Sequence, residues 1–107
     1  MKTCDKLIRD RMPETLEKAG IIPITRQLDE KELDAALKEK LQEEVNQFLE
    51  NDQIEEIADI LEVLEAIVRN RGGLMGMIFE IKQERREVSG GFEKRLLLEK
   101  VADDEVS

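Results

Sequence analysis

The chain has 107 residues and a formal net charge of −9, with 40% of residues charged, three Phe, no Trp, Tyr or His, and a single cysteine. That length fits one domain with one core, here necessarily aliphatic. The composition excludes an internal disulfide, a His-ligated metal and a thiol–imidazole pair, and the acid excess argues against a nucleic-acid polymer as partner.

No apolar run approaches the roughly 20 residues that a membrane span needs. The start Met1-Lys2-Thr3-Cys4-Asp5 lacks the apolar stretch of a signal peptide. A cytoplasmic protein without a membrane partner is expected, with Cys4 an inert terminal thiol. The charge is unevenly spread. Residues 1–28 hold six Lys/Arg against four Asp/Glu, residues 29–71 five against fourteen, and residues 72–107 six against eight. The acid excess is concentrated in the centre, and the flanking cations are available as counter-charges to a phosphorylated ligand.

Residues 5–19 read as a short helix, broken or begun at Pro13 and ended by Gly20. Ile21 to Leu28 is expected to be extended, because Pro23 restricts its predecessor and β-branched residues surround it. A capping box of Asp29 with Glu32 starts the next helix, which runs to about Leu49 with Leu33, Leu37, Leu41, Val45 and Phe48 as its apolar stripe. Asp52 and Glu55 suggest a second capping box. The helix after it is apolar nearly all round, from Ile54 to Val68, and is expected to be covered on several sides. Gly72-Gly73 ends it. A last helix runs from Leu74 to about Val88, Ser89-Gly90-Gly91 forms a turn, and Phe92 to Leu98 looks extended.

The fold class is therefore all-α: an antiparallel bundle of about four helices, with a small two-stranded ribbon if residues 22–28 pair with 92–98. One helical domain is expected over residues 1–101, and residues 102–107, with Asp103-Asp104-Glu105, as a disordered acidic tail.

The break at Asn51-Asp52 is short enough for a tight turn between antiparallel helices. A turn centred there sets Glu44 level with Asp59 and Gln47 level with Glu56. Four oxygen-bearing side chains would then converge. Two carboxylates about 4 Å apart repel by roughly 4 kcal/mol at an effective dielectric near 20. A hard divalent ion such as Mg²⁺, which takes oxygen ligands and bridges carboxylates to phosphates, removes that cost. Ordinary solvated helix charge is the competing reading for any single Glu in so acidic a chain.

Three stretches carry a resemblance. Lys6-Leu7-Ile8-Arg9-Asp10-Arg11-Met12-Pro13 looks like a K-L-V-R-D-K-I-P opening. Lys40-Leu41-Gln42-Glu43-Glu44 with Glu56-Ile57-Ala58-Asp59 looks like an E-E-x-x-E and E-x-x-D pair, and Gly90-Gly91-Phe92-Glu93-Lys94 like a closing G-G-F-E-K. In this order they resemble the MazG-like branch of the all-α nucleoside triphosphate pyrophosphohydrolases, the group labelled phosphoribosyl-ATP pyrophosphohydrolase-like.

The resemblance implies a hydrolase that converts a nucleoside triphosphate to monophosphate and pyrophosphate, with Mg²⁺ or Mn²⁺ as cofactor and oligomerisation through the helical bundle; the apolar faces of the Ile54–Val68 helix make a homodimer or dimer of dimers the expected assembly. Glu44, Glu56 and Asp59 would be metal ligands by motif position, with Gln47 as a further oxygen. Gln47 stands where the motif has Glu, keeping an oxygen and losing a charge. Glu43 and Glu44 are the catalytic candidates, Glu43 orienting the attacking water. Lys6, Arg9, Arg11 and Lys94 are the candidates for binding substrate phosphates, Arg being suited to bidentate contacts. Three functions fit this expectation: clearing of non-standard nucleotides, the phosphoribosyl-ATP step of histidine biosynthesis, or a catalytically weak nucleotide-binding helical scaffold, favoured by Gln47.

Overall fold

The computed structural model describes residues 5–102, so Cys4 and most of the acidic tail lie outside the described residues. Four helices follow in chain order: α1 (Met12–Lys18), α2 (Glu30–Asn51), α3 (Glu55–Asn70) and α4 (Met75–Ser89). The described residues contain no strand. They cluster into two compact units, divided between Met75 and Gly76.

In the first unit, α1 begins at the expected proline and ends in a Schellman motif. Gly20 takes the left-handed conformation at φ 80°, its N–H bonds to the Glu17 carbonyl at 3.0 Å, and the Ile21 N–H reaches the Leu16 carbonyl at 2.9 Å. α3 ends in the same way. Gly72 has φ 77°, and the amides of Gly72 and Gly73 bond to the carbonyls of Arg69 and Val68.

α2 starts at the capping box read from the sequence: Glu32 N–H donates to Asp29 Oδ1 at 2.8 Å and Asp29 N–H to Glu32 Oε1 at 3.2 Å. The same Glu32 carboxylate receives Arg26 at 2.8 Å, which fixes the residues leading into the helix. The second expected box does not form. Asp52 sits at φ 54°, ψ 39° and closes α2 through its N–H to the Phe48 carbonyl, whereas an N-cap needs extended backbone. Reversing the chain within three residues uses Asp52 as a terminator. α3 therefore begins at Glu55 after Ile54, an N-cap that supplies no side-chain hydrogen bond, and Glu55 is released from the structural role read for it.

α2 and α3 pack on each other. Asn70 Nδ2 donates to the Glu30 carbonyl at 2.9 Å, and Arg71 forms a two-pronged contact with Asp34 at 2.8 and 3.3 Å. The end of α3 thus meets the start of α2 and the pair is antiparallel, in a register that agrees within one helical turn with the one read from the break. Leu37 of α2 and Val63 of α3, 5% and 7% exposed, are its buried hydrophobic side chains. The remaining stripe of α2, with Leu33, Leu41, Val45 and Phe48, is half-buried.

α3 carries two apolar stripes, as its sequence requires. Ile60, Val63 and Ile67 form the more buried one. Ile54, Ile57, Leu61 and Leu64, at alternating spacings of three and four, stay 75%, 46%, 44% and 39% exposed.

The ribbon is absent. Residues 21–28 form no ladder, with Ile22 and Ile24 exposed. In the second unit, α4 is followed by a turn at residues 92–94 instead of a strand, closed by Arg95 N–H to the Phe92 carbonyl. Arg95 at φ 57° and Gly90 at φ 84° bend this segment, and Arg86 holds Glu93 across it. A chain turned back every few residues cannot present the alternating backbone groups of a strand.

Candidate functional site

Near its turn the α2–α3 seam changes character. Along α2 the inward spacing continues from Leu37 and Leu41 to Glu44. Along α3, traced back from Val63 and Ile60, it arrives at Glu56. Both helices put a carboxylate where the pattern calls for an apolar residue. The Glu44 side chain is only 15% exposed, and Glu56 Oε2 is buried without a hydrogen-bond partner. Leaving a buried polar oxygen unpaired costs about 1–3 kcal/mol, more for a charged group.

Each neighbouring carboxylate has a cation. Lys40 Nζ lies 3.3 Å from Glu44 and 3.6 Å from Glu43. Lys40 is itself only 24% exposed along its side chain, which strengthens its pull on both acids. Asp59, one turn beyond Glu56, is held by Arg9, with Nη2 at 2.8 Å from Oδ1. This contact joins residues fifty positions apart and ties the segment before α1 to α3.

The remaining candidates divide. Lys6 shares a small cleft of about 70 Å³ with Lys40, Glu39 and Glu43, so it stands beside the hairpin's acidic edge. Gln47 is exposed and its Oε1 accepts from Asn51 Nδ2 at 3.1 Å, along its own helix. Arg11 makes a loose contact with Glu14 at 3.9 Å and has no link to the hairpin carboxylates. Lys94 lies exposed in the Phe92–Arg95 turn of the second unit.

The convergence expected around a cation is not formed. Among the described residues no three acidic side chains group where they could hold a metal ion. The donor chemistry is right for Mg²⁺, all oxygen with one buried oxygen unpartnered. The arrangement is not, because the chain's own ammonium and guanidinium groups stand at Glu44 and Asp59. As placed, these residues do not fit the metal.

Two features escaped the sequence reading. Lys40 was legible as a partner of Glu43 and Glu44 from its spacing of three and four residues. Arg9 as the partner of Asp59 had no local signal. At the far end of the hairpin the Arg71 contact holds the Asp34 carboxyl below its ordinary value; its hydrogen bond is the main cause, assisted by Lys38. Glu32 is lowered in the same way, first by Arg26 and then by the Asp29 backbone N–H.

Comparison of the chain with protein-family models, curated proteins and solved structures finds no match. Among the described residues no helix is long and apolar enough to cross a membrane.

Proposed function

We propose that the chain is a nucleotide pyrophosphohydrolase of the MazG-like type, acting at the turn end of the α2–α3 hairpin; its Mg²⁺ dependence rests on the motif resemblance alone, because the arrangement of these carboxylates does not itself fit the metal. The observation that carries the reading is the buried, unpartnered Glu56 Oε2 on an otherwise apolar seam that also receives Glu44. A carboxylate oxygen left without a partner on an apolar seam, at a cost to stability, is the pattern of a functional position. The three motif resemblances supply the reaction class.

In this reading Lys6, Arg9 and Arg11 bind the nucleotide's phosphates, and Glu43, 40% exposed, orients the attacking water. The exposed Ile54, Ile57, Leu61 and Leu64 stripe is covered by the hairpin of a second copy. Two hairpins then make the four-helix bundle that one chain begins, and fully burying each such side chain is worth about 1.5–3 kcal/mol. The dimer also brings cations of one subunit's N-terminal segment near the acidic edge of the other. A cytoplasmic role in clearing non-standard nucleotides and the phosphoribosyl-ATP reaction both fit this chemistry.

A second reading, a catalytically weak nucleotide-binding scaffold, is favoured by Gln47 turned along its own helix and by the lack of a three-carboxylate group among the described residues. Pyrophosphate release from a nucleotide panel that includes phosphoribosyl-ATP, with and without Mg²⁺, decides between them. The enzyme reading expects metal-dependent pyrophosphate from at least one nucleotide. Orthophosphate alone, activity undiminished in chelator, or no turnover beside measurable nucleotide binding contradicts it.

A further inference from the structure

We infer that a hollow on one face of α4 is a metal-independent nucleotide site, in which Lys82 and Arg85 hold the phosphate and Phe92 takes the base. It is built from residues of the second unit alone and uses none of the hairpin carboxylates, so it stands or falls apart from the function proposed above.

The hollow has a volume of about 780 Å³, and its walls include Ile78, Ile81, Lys82, Arg85, Arg86 and Phe92. That is within the range of small-molecule sites, roughly 300–1,000 Å³. Its helical members recur three or four residues apart, so α4 offers them on one face. The chain then turns at Gly90, φ 84°, whose N–H closes on the Arg86 carbonyl at 2.8 Å, and Phe92 follows into the same hollow.

No carboxylate lines it; Glu80, Glu84 and Glu87 of the same helix are not among its walls. Arg86 is occupied by Glu93, the one ion pair of the second unit among the described residues. A side chain at Gly91 would meet the Arg86 guanidinium carbon at 3.0 Å, so the bare backbone there leaves this pair its place. Lys82 and Arg85 remain, and an anion meets both without first displacing a carboxylate. The C-terminal end of α4 opposes that anion with about half a unit of negative charge, which two full cations outweigh. The Arg85 fork suits phosphate oxygens. Phe92 is 97% exposed, and an open aromatic ring is a stacking platform for a base. A ligand that carries both a flat ring and a phosphate answers the whole lining. A nucleic-acid polymer needs a longer basic track and is opposed by the net charge of −9.

The test is NMR titration of the full chain, in chelator, with AMP, adenosine and inorganic phosphate, repeated with AMP on Arg85→Gln, Phe92→Leu and Lys18→Gln. AMP is expected to bind with a Kd below about 1 mM, moving the Phe92 ring and the Gly90 and Gly91 amides, and adenosine and phosphate to bind more weakly. Arg85→Gln should weaken AMP about two- to fivefold, as for one exposed charge contact, and Phe92→Leu about fivefold or more. Lys18→Gln removes the same charge from the last turn of α1 and should have a smaller effect than Arg85→Gln. AMP that binds no better than adenosine or phosphate, shifts that miss residues 90–92, Arg85→Gln and Phe92→Leu chains that bind like the wild type, or no AMP binding at all each overturn the site. Metal-dependent pyrophosphate release, measured separately, decides the hairpin's function whichever way these fall.

Discussion

The two ends of the α2–α3 hairpin are built on opposite terms. At the open end, Leu37 and Val63 are buried and Arg71 grips Asp34 with two hydrogen bonds while Asn70 reaches the Glu30 carbonyl. The polar groups named have partners, and the seam's two buried apolar side chains lie on this side of the hairpin. At the turn end the same seam carries Glu44 and Glu56, one leaning on Lys40 and the other with an orphaned oxygen. The two-pronged clasp lies where the helices begin and finish, and the orphaned oxygen lies toward the turn. Such a division fits a chain whose binding chemistry is placed away from its clasp.

The largest effect is expected from breaking the stable end. Leu37→Ala should lower unfolding free energy by about 2–5 kcal/mol, the usual loss for a buried Leu, read by urea denaturation. Within so small a core, that much should unfold most of the hairpin at ambient temperature. A change below about 1 kcal/mol would mean that the packing centre lies elsewhere.

A smaller, pH-dependent effect comes from the clasp. The hydrogen bond from Arg71 lowers the Asp34 carboxyl from 3.8. Its contribution is therefore fully present above that unfolded value and is lost as pH falls through the lower folded one. Asp34→Asn should be less stable near neutral pH and should lose less on acidification below about pH 4. Melting temperatures across the acid range check this, and an unchanged acid limb would remove the clasp from the stability of the hairpin.

Gln47→Glu sharpens the comparison from the other side. Adding charge to the acidic end should tighten Mg²⁺ binding a few-fold and slightly lower metal-free stability. Equal or weaker affinity by calorimetry would place Gln47, which here accepts from Asn51, outside the metal site.

Helix limits were legible because local chemistry sets them: the Asp29–Glu32 box, and Gly20 and Gly72 at left-handed positions. The Asp52–Glu55 box failed because the same sequence pattern serves a different end once the chain must reverse, and Asp52 accepts the left-handed conformation. The ribbon failed because β-branched content marks extended preference without supplying a partner strand. The ion pair between Arg9 and Asp59 spans fifty residues, so no local spacing could announce it. It changed the meaning of Arg9 from a free phosphate ligand to an occupied one.

Glu56→Gln, measured for both nucleotide turnover and metal-free stability, tests most directly whether the turn end is functional. The substitution keeps the shape of the side chain and replaces the carboxylate with a neutral amide. The expected result is loss of Mg²⁺-dependent pyrophosphate release together with a melting temperature equal to or above that of the wild type. Retained turnover, or a large fall in melting temperature alongside lost activity, would contradict it and make Glu56 a structural residue.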